Sequence, residues 1–229
     1  MPSTKDKTEE TKNKIIEVAK RHFSEKGFDA ARIHVIAKDV GVNKALIYYY
    51  FKNKEAILDH LIQTLFNDLS KIIMTFTKDN IITMINEGRL NIQGGRWRFM
   101  SEEDAGKFYE AGLRYCKDMV DFVLSNRRVI RILIFESLKN GKYQKALFRF
   151  LDMLNAKDDG SLFKTNWNGS PDFGHTVDSI VFKFFFGFVP LFNLAAYFDD
   201  YVKSSGIGES ELRASFMRCY EKMLLNFFS

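Results

Sequence analysis

The stretch from residue 32 to residue 51, RIHVIAKDVGVNKALIYYYF, constrains this chain more than any other. Ile33, Ile36, Ala37 and Val40 fall at i, i+3, i+4 and i+7, the apolar face of a helix about two turns long. Gly41 is free to adopt the left-handed conformation that stops a helix, and Val42 then points back into a small core. Asn43 is a capping residue for a second helix, its side chain accepting a backbone N–H. That helix turns Ile47, Tyr50 and Phe51 inward, with Lys44 in its first turn and Ala45, Tyr48 and Tyr49 on the opposite side. Two short helices joined by a tight glycine turn, the second with a small and basic N-terminus, make a helix-turn-helix. An ordinary helical hairpin in an all-helical protein has the same outline, and such hairpins are common.

The wider pattern separates the two. The first helix reads KNKIIEVAKRHFSEKGFDA, and IAKDVGVNKALIYYYFKNKEAIL follows. Gly27-Phe28, Ile36-Ala37, Gly41-Val42, Lys44, the Tyr48-Tyr49-Tyr50-Phe51 run and Lys54-Glu55 carry a resemblance over residues 8–58. That segment resembles the DNA-binding domain of the TetR-type family of bacterial transcriptional repressors. The resemblance implies an all-α fold, in which an N-terminal three-helix helix-turn-helix domain (1–53) is joined by a long helix to a C-terminal helical effector-binding and dimerisation domain (54–229). It also implies a threonine pair opening the second helix, to cap it and touch phosphate, where this chain has Ala31-Arg32. Arg32 supplies charge for the phosphate instead, and the missing cap costs about 1 kcal/mol unless Asp29 takes it over. Val35, apolar on the side opposite the stripe, puts any contact of that face in doubt.

Charge supports an anionic partner. The formal net charge is +5, and residues 1–60 hold 12 Lys and Arg against 9 Asp and Glu, while the other 169 hold 22 against 20. A basic reader on a nearly neutral body fits DNA binding better than a polycation does. Nucleophile elbow, P-loop, dinucleotide fingerprint and metal-ligand pairs are all missing from the sequence, so neither enzyme, cofactor nor metal site is expected. The four histidines are scattered, and Cys116 and Cys219 read as small core hydrophobes. The first 14 residues carry no secretory signal, which makes the expected location cytoplasmic.

Along the chain, Asp6 or Thr8 is placed to cap the first helix, whose buried face is Ile15, Ile16, Ala19 and Phe23. A long helix is expected from Lys54 to about Phe76, then a short one near 81–86 and a glycine-punctuated loop holding Arg96-Trp97-Arg98, its Trp anchored in the body. Ser101 caps the next helix, Asn126 caps another that stops at Asn140-Gly141, a further helix covers about 142–155, and 156–172 is a loop. Residues 173–203 form the most apolar element. Within 180–198 only Lys183 and Asn193 are clearly polar, long enough for a membrane span. Those two residues, Pro190 and the lack of a second span favour a helix buried at a subunit interface, leaving a single-span protein carrying a helix-turn-helix as the alternative. The last helix is expected at 209–228.

One reader helix offers too little contact for specific affinity, so a homodimer on a palindromic double-stranded operator is expected. The DNA-contacting set is Arg32, Asn43, Lys44, Ala45, Leu46, Tyr48, Tyr49 and Lys54. Lys44 suits guanine, Ala45 and Leu46 a thymine methyl, and Tyr48, Tyr49 and Lys54 phosphate; lateral packing on the first helix is the other reading of the two tyrosines. Phe188, Phe192, Phe216, Tyr220 and Met223 are expected at the dimer interface. The resemblance further implies a small effector. An aromatic body suits an apolar or aromatic one, lined by Leu65, Phe108, Tyr115, Met119, Phe122 and Phe185, although the same residues make an equally good dry core.

Overall fold

Four-residue apolar spacings become helices throughout the computed structural model, which describes residues 4–93, 96–148 and 177–225. The elements are α1 (Thr4–Lys26), α2 (Ile33–Val40), α3 (Lys44–Tyr50), α4 (Lys54–Phe76), a π-helical turn (Thr77–Ile82), α5 (Thr83–Asn86), strands β1 (Leu90–Gln93) and β2 (Arg96–Phe99), α6 (Glu102–Ser125), α7 (Arg127–Ser137), α8 (Val177–Val181), a π-helical segment (Phe182–Phe188), α9 (Val189–Ser205) and α10 (Glu209–Leu225). The all-α class with an N-terminal helix-turn-helix holds. Among the described residues no helix is long and apolar enough to cross a membrane.

Contacts divide the described chain into two units, one drawn from the stretches Met1–Phe66 and Arg128–Leu147, the other from Asn67–Arg127 and Phe148–Ser229. In the first, Ile15, Ala19 and Phe23 of α1, Ile36 and Ala37 of α2, Ile47 of α3, and Ile57 and Leu58 of α4 are all buried, and α2 packs against both α1 and α3. Each buried Ile, Leu or Phe there contributes about 1.5–3 kcal/mol. α1 starts at Thr4, upstream of the expected caps, and ends as its sequence indicates, with Gly27 at φ 82° donating to the Phe23 carbonyl. His22 is buried on α1, its Nε2 2.8 Å from Asp39 Oδ2 on α2; this hydrogen bond, with Arg21 beside it, holds the Asp39 carboxyl below the usual range. From the other stretch of this unit, Lys139 pairs with Asp29 (2.8 Å) and the buried Glu136 (2.6 Å), Lys142 reaches Asp59 (2.6 Å), and the Tyr143 hydroxyl donates to the Glu55 carbonyl (3.3 Å).

In the second unit α6 packs against α9 and α10. Ser101 caps α6 as expected, accepting from the Asp104 backbone N–H at 3.1 Å. Four expectations are corrected here. The glycine-punctuated loop is an antiparallel hairpin, with Leu90 opposite Phe99 and Ile92 opposite Trp97. These four side chains pack with Ile81, Met84 and Phe108, so a period-two alternation lay beneath glycines that read as loop. Trp97 is anchored in the body, 5.3 Å from the Phe108 ring. Residues 142–148 form turns rather than the start of a helix; 149–155, the 156–172 loop, 173–176 and the end of the last helix lie outside the described residues. Asn126 closes α6 instead of opening α7, its Nδ2 donating to the Phe122 carbonyl at 2.9 Å. Cys116 is buried, its thiol pushed up to about 12 by burial, but Cys219 is exposed on the outside of α10.

Candidate DNA-reading surface

The α2–α3 turn is built from three backbone devices that the sequence spells out. Gly41 sits at φ 80°, a region closed to most side chains, and its N–H donates to the carbonyls of Ala37 (3.0 Å) and Lys38 (3.1 Å). The Val42 N–H returns to Ala37 as well, at 3.0 Å. Asn43 is extended, and its Oδ1 accepts from the Leu46 N–H at 2.8 Å, satisfying an orphan donor at the start of α3. Loss of that bond costs about 1 kcal/mol of helix stability.

α3 is pinned by Ile47, which is fully buried, and by Phe51 just after it. With those inward, Lys44, Ala45, Tyr48 and Tyr49 share the exposed face, and Leu46 is half-buried at its edge. Tyr49 is 77% exposed and Tyr48 43%, so neither is committed to lateral packing on α1. The Lys44 ammonium lies 5.4 Å from the Tyr48 ring centroid, one turn on, and Tyr49 meets Tyr50 edge-on at 5.1 Å. Such a face carries a cation, a small residue and two phenol hydroxyls on a short rigid helix, the chemistry that reads base edges and phosphates together. The Lys44–Tyr48 pair is legible in the sequence as an i,i+4 spacing.

Arg32 is exposed as the residue ahead of α2 and makes no capping hydrogen bond, and Asp29 does not take the cap over because its carboxylate engages Lys139. Lys54 is placed differently from its neighbours on the expected contact set: its ammonium donates to the carbonyls of Phe28 (2.7 Å), Asp29 (3.2 Å) and Ala31 (3.2 Å).

The other expected sites lie elsewhere. Leu65 is buried in the first unit. In the second, Phe108 and Met119 are buried and Phe122 is half-buried, while Tyr115, stacked on Phe76 at 4.4 Å, has its phenol held well above the usual range by burial. Phe185 stands apart from them, 57% exposed. Phe188 and Phe192, expected at the dimer interface, are only 2% and 1% exposed within a single chain, their rings 3.9 Å apart. They have no surface to offer a second copy, because α6 and α10 pack over this segment from inside the unit. Tyr220 is also buried, its hydroxyl donating to the Gly187 carbonyl at 2.8 Å; Phe216 and Met223 are half-buried. No group of three or more residues able to hold a metal occurs among the described residues.

Comparison with known proteins falls on this same surface. Residues 15–61 match the family described as bacterial regulatory proteins, tetR family. The chain is 40% identical over 80 residues to the probable HTH-type transcriptional regulator YttP of Bacillus subtilis (strain 168), covering 35% of this chain and 38% of that protein. It is 43% identical over 63 residues to the biofilm operon icaADBC HTH-type negative transcriptional regulator IcaR of Staphylococcus aureus (strain Newman), covering 28% of this chain and 34% of that protein. The chain thus spans little more than a third of the curated relatives it matches.

Proposed function

The N-terminal domain of this chain is that of the tetR family of bacterial regulatory proteins, and from that premise we propose that the protein is a cytoplasmic transcriptional repressor that binds a palindromic operator as a homodimer. The observation that carries the reading is the α3 face: Lys44, Ala45, Tyr48 and Tyr49 exposed together on a helix anchored by Ile47, inside the matched segment. On this reading α3 enters the major groove, Lys44 donates to guanine O6 or N7, Ala45 and Leu46 meet a thymine methyl, and Tyr48, Tyr49 and Arg32 address phosphates. Asn43 acts from the turn, as the cap that aims α3. Two copies place half-site centres about 34–36 Å apart, or a multiple of that. The division of labour is a reader over 1–53 and an effector and dimer body over 54–229.

An apolar or aromatic effector is part of the proposal, supported by the aromatic interior of the second unit, where Phe76, Tyr115, Phe108 and Trp97 adjoin one another and Met119 is buried. The DNA reading is tested by titrating a duplex selected from random sequence by the protein itself. With roughly 6–10 phosphate contacts per dimer, affinity falls about 10³–10⁵-fold between 50 and 200 mM salt. A flat salt response, or no duplex selected at low salt, removes the reading.

A further inference from the structure

We infer that Lys54 is a positioning residue, which sets the start of α2 and through it the placement of Arg32 and α3, in place of the phosphate contact its sequence position suggests. Its consequence for DNA rests on the function proposed above; its structural part rests on geometry alone.

α2 begins without the usual support. Arg32 precedes it in an extended conformation, φ −115° and ψ 130°, with no side-chain cap, and no acid stands in the first turn. The neighbouring carboxylate of Asp29 is turned to Lys139 at 2.8 Å. What holds the entry to the helix is a cation from 25 residues away. Three carbonyls just ahead of α2, those of Phe28, Asp29 and Ala31, converge on the Lys54 ammonium at 2.7, 3.2 and 3.2 Å. An ammonium has three N–H donors, so all of them are committed to backbone. The same nitrogen lies 4.3 Å from the centroid of the Phe28 ring, an added cation–π attraction. Phe28 and Ala31 are themselves buried, so this turn belongs to the core and is not a loose loop.

The position argues the same way. Lys54 is the first residue of α4, where the helix dipole disfavours a cation, and the carbonyl cage offsets that cost. A lysine reaching out to phosphate would have to abandon the cage. With the cage intact, the Phe28–Ala31 turn is locked to the start of α4. α2 leaves that turn at a set angle, and the Gly41 turn carries α3 with it.

Lys54→Arg and Lys54→Met in the full chain test the assignment by two readouts: thermal melting of the protein without DNA, and the salt dependence of binding to the duplex selected by the unmodified protein. A single guanidinium nitrogen cannot converge on three carbonyls as an ammonium does, yet arginine keeps the charge and serves phosphate at least as well. Both variants are expected to melt about 4 °C or more below the unmodified protein. Their affinity falls by the same factor at every salt concentration, leaving the slope of log K against log salt unchanged. If Lys54→Arg melts with the unmodified protein, or the slope for Lys54→Met drops by about 0.9 per protomer, Lys54 is a phosphate contact and the inference is overturned. Lys54→Arg carries the test even where Lys54→Met does not fold. If no duplex is selected, the DNA reading falls, and the melting comparison still decides the positioning role.

Discussion

Lys44 and Tyr49 occupy the same exposed face of α3 and are predicted to do different work. The Lys44 ammonium is steadied over the Tyr48 ring, within the first turn of the helix, where base edges come closest. Lys44→Ala is expected to cost about 1–3 kcal/mol on the operator and to relax preference at one base position. Tyr49 is the most exposed of the three tyrosines, and Tyr49→Phe removes only a hydroxyl. It should weaken binding to all sequences alike, since a phosphate contact carries no base information. Competition assays across single-base operator variants distinguish the two, and a change of base preference in Tyr49→Phe with none in Lys44→Ala would reverse the assignment.

Elements show where periodicity suffices and where it does not. α2, α3 and α4 have the bounds their apolar spacing and caps indicate. The hairpin at 90–99 was hidden because two four-residue strands give a weaker signal than the glycines around them. The aromatic stretch 182–188 was expected to be regular helix and is π-helical instead. Its widened turns precede Pro190, which has no N–H for the carbonyl four residues back and whose ring clashes with it in a regular helix. Lys183 lies in that segment, its ammonium lowered to about 8 by burial. Because the folded value lies below the unfolded one, near 10.4, the penalty is full below pH 8 and fades as pH rises towards 10.4. Stability is therefore expected to rise between about pH 8 and 10.4 through this group, and Lys183→Met to lack that rise. Denaturant melts of both proteins across that range check it, and a pH-independent difference would show the burial argument wrong.

For the whole molecule, the proposed homodimer needs an apolar surface to join its two copies. Phe188 and Phe192 are spent inside the chain, whereas Tyr197 and Tyr201 of α9, with Phe185 and Val181 before them, remain exposed. Tyr197 and Tyr201, four residues apart on α9, share one face of that helix, and on this proposal that face is the contact surface. Tyr197→Glu is expected to give monomers in sedimentation and to drop DNA affinity towards the nonspecific range, Kd about 10⁻⁴–10⁻⁶ M. Phe188→Ala should cost about 3–5 kcal/mol of stability and leave the association state unchanged. The reverse pattern would return the interface to Phe188.

The sequence by itself determined what depends on near neighbours: where α2 stops, how Asn43 opens α3, and which side of α3 faces out. Those outcomes follow from helical periodicity, a glycine free to take positive φ, and a side chain that reaches its own backbone three residues on. Only the tertiary structure decided what depends on distant partners. It buried Phe188 and left Phe185 exposed three residues earlier, put Cys219 on the outside, and gave Lys54 to three carbonyls near residue 30. It also brought Lys139 to Asp29 across 110 positions. An apolar stripe or a lone cation states what it needs, burial or a partner, but which surface or carbonyl meets that need is set by packing between segments far apart in the chain.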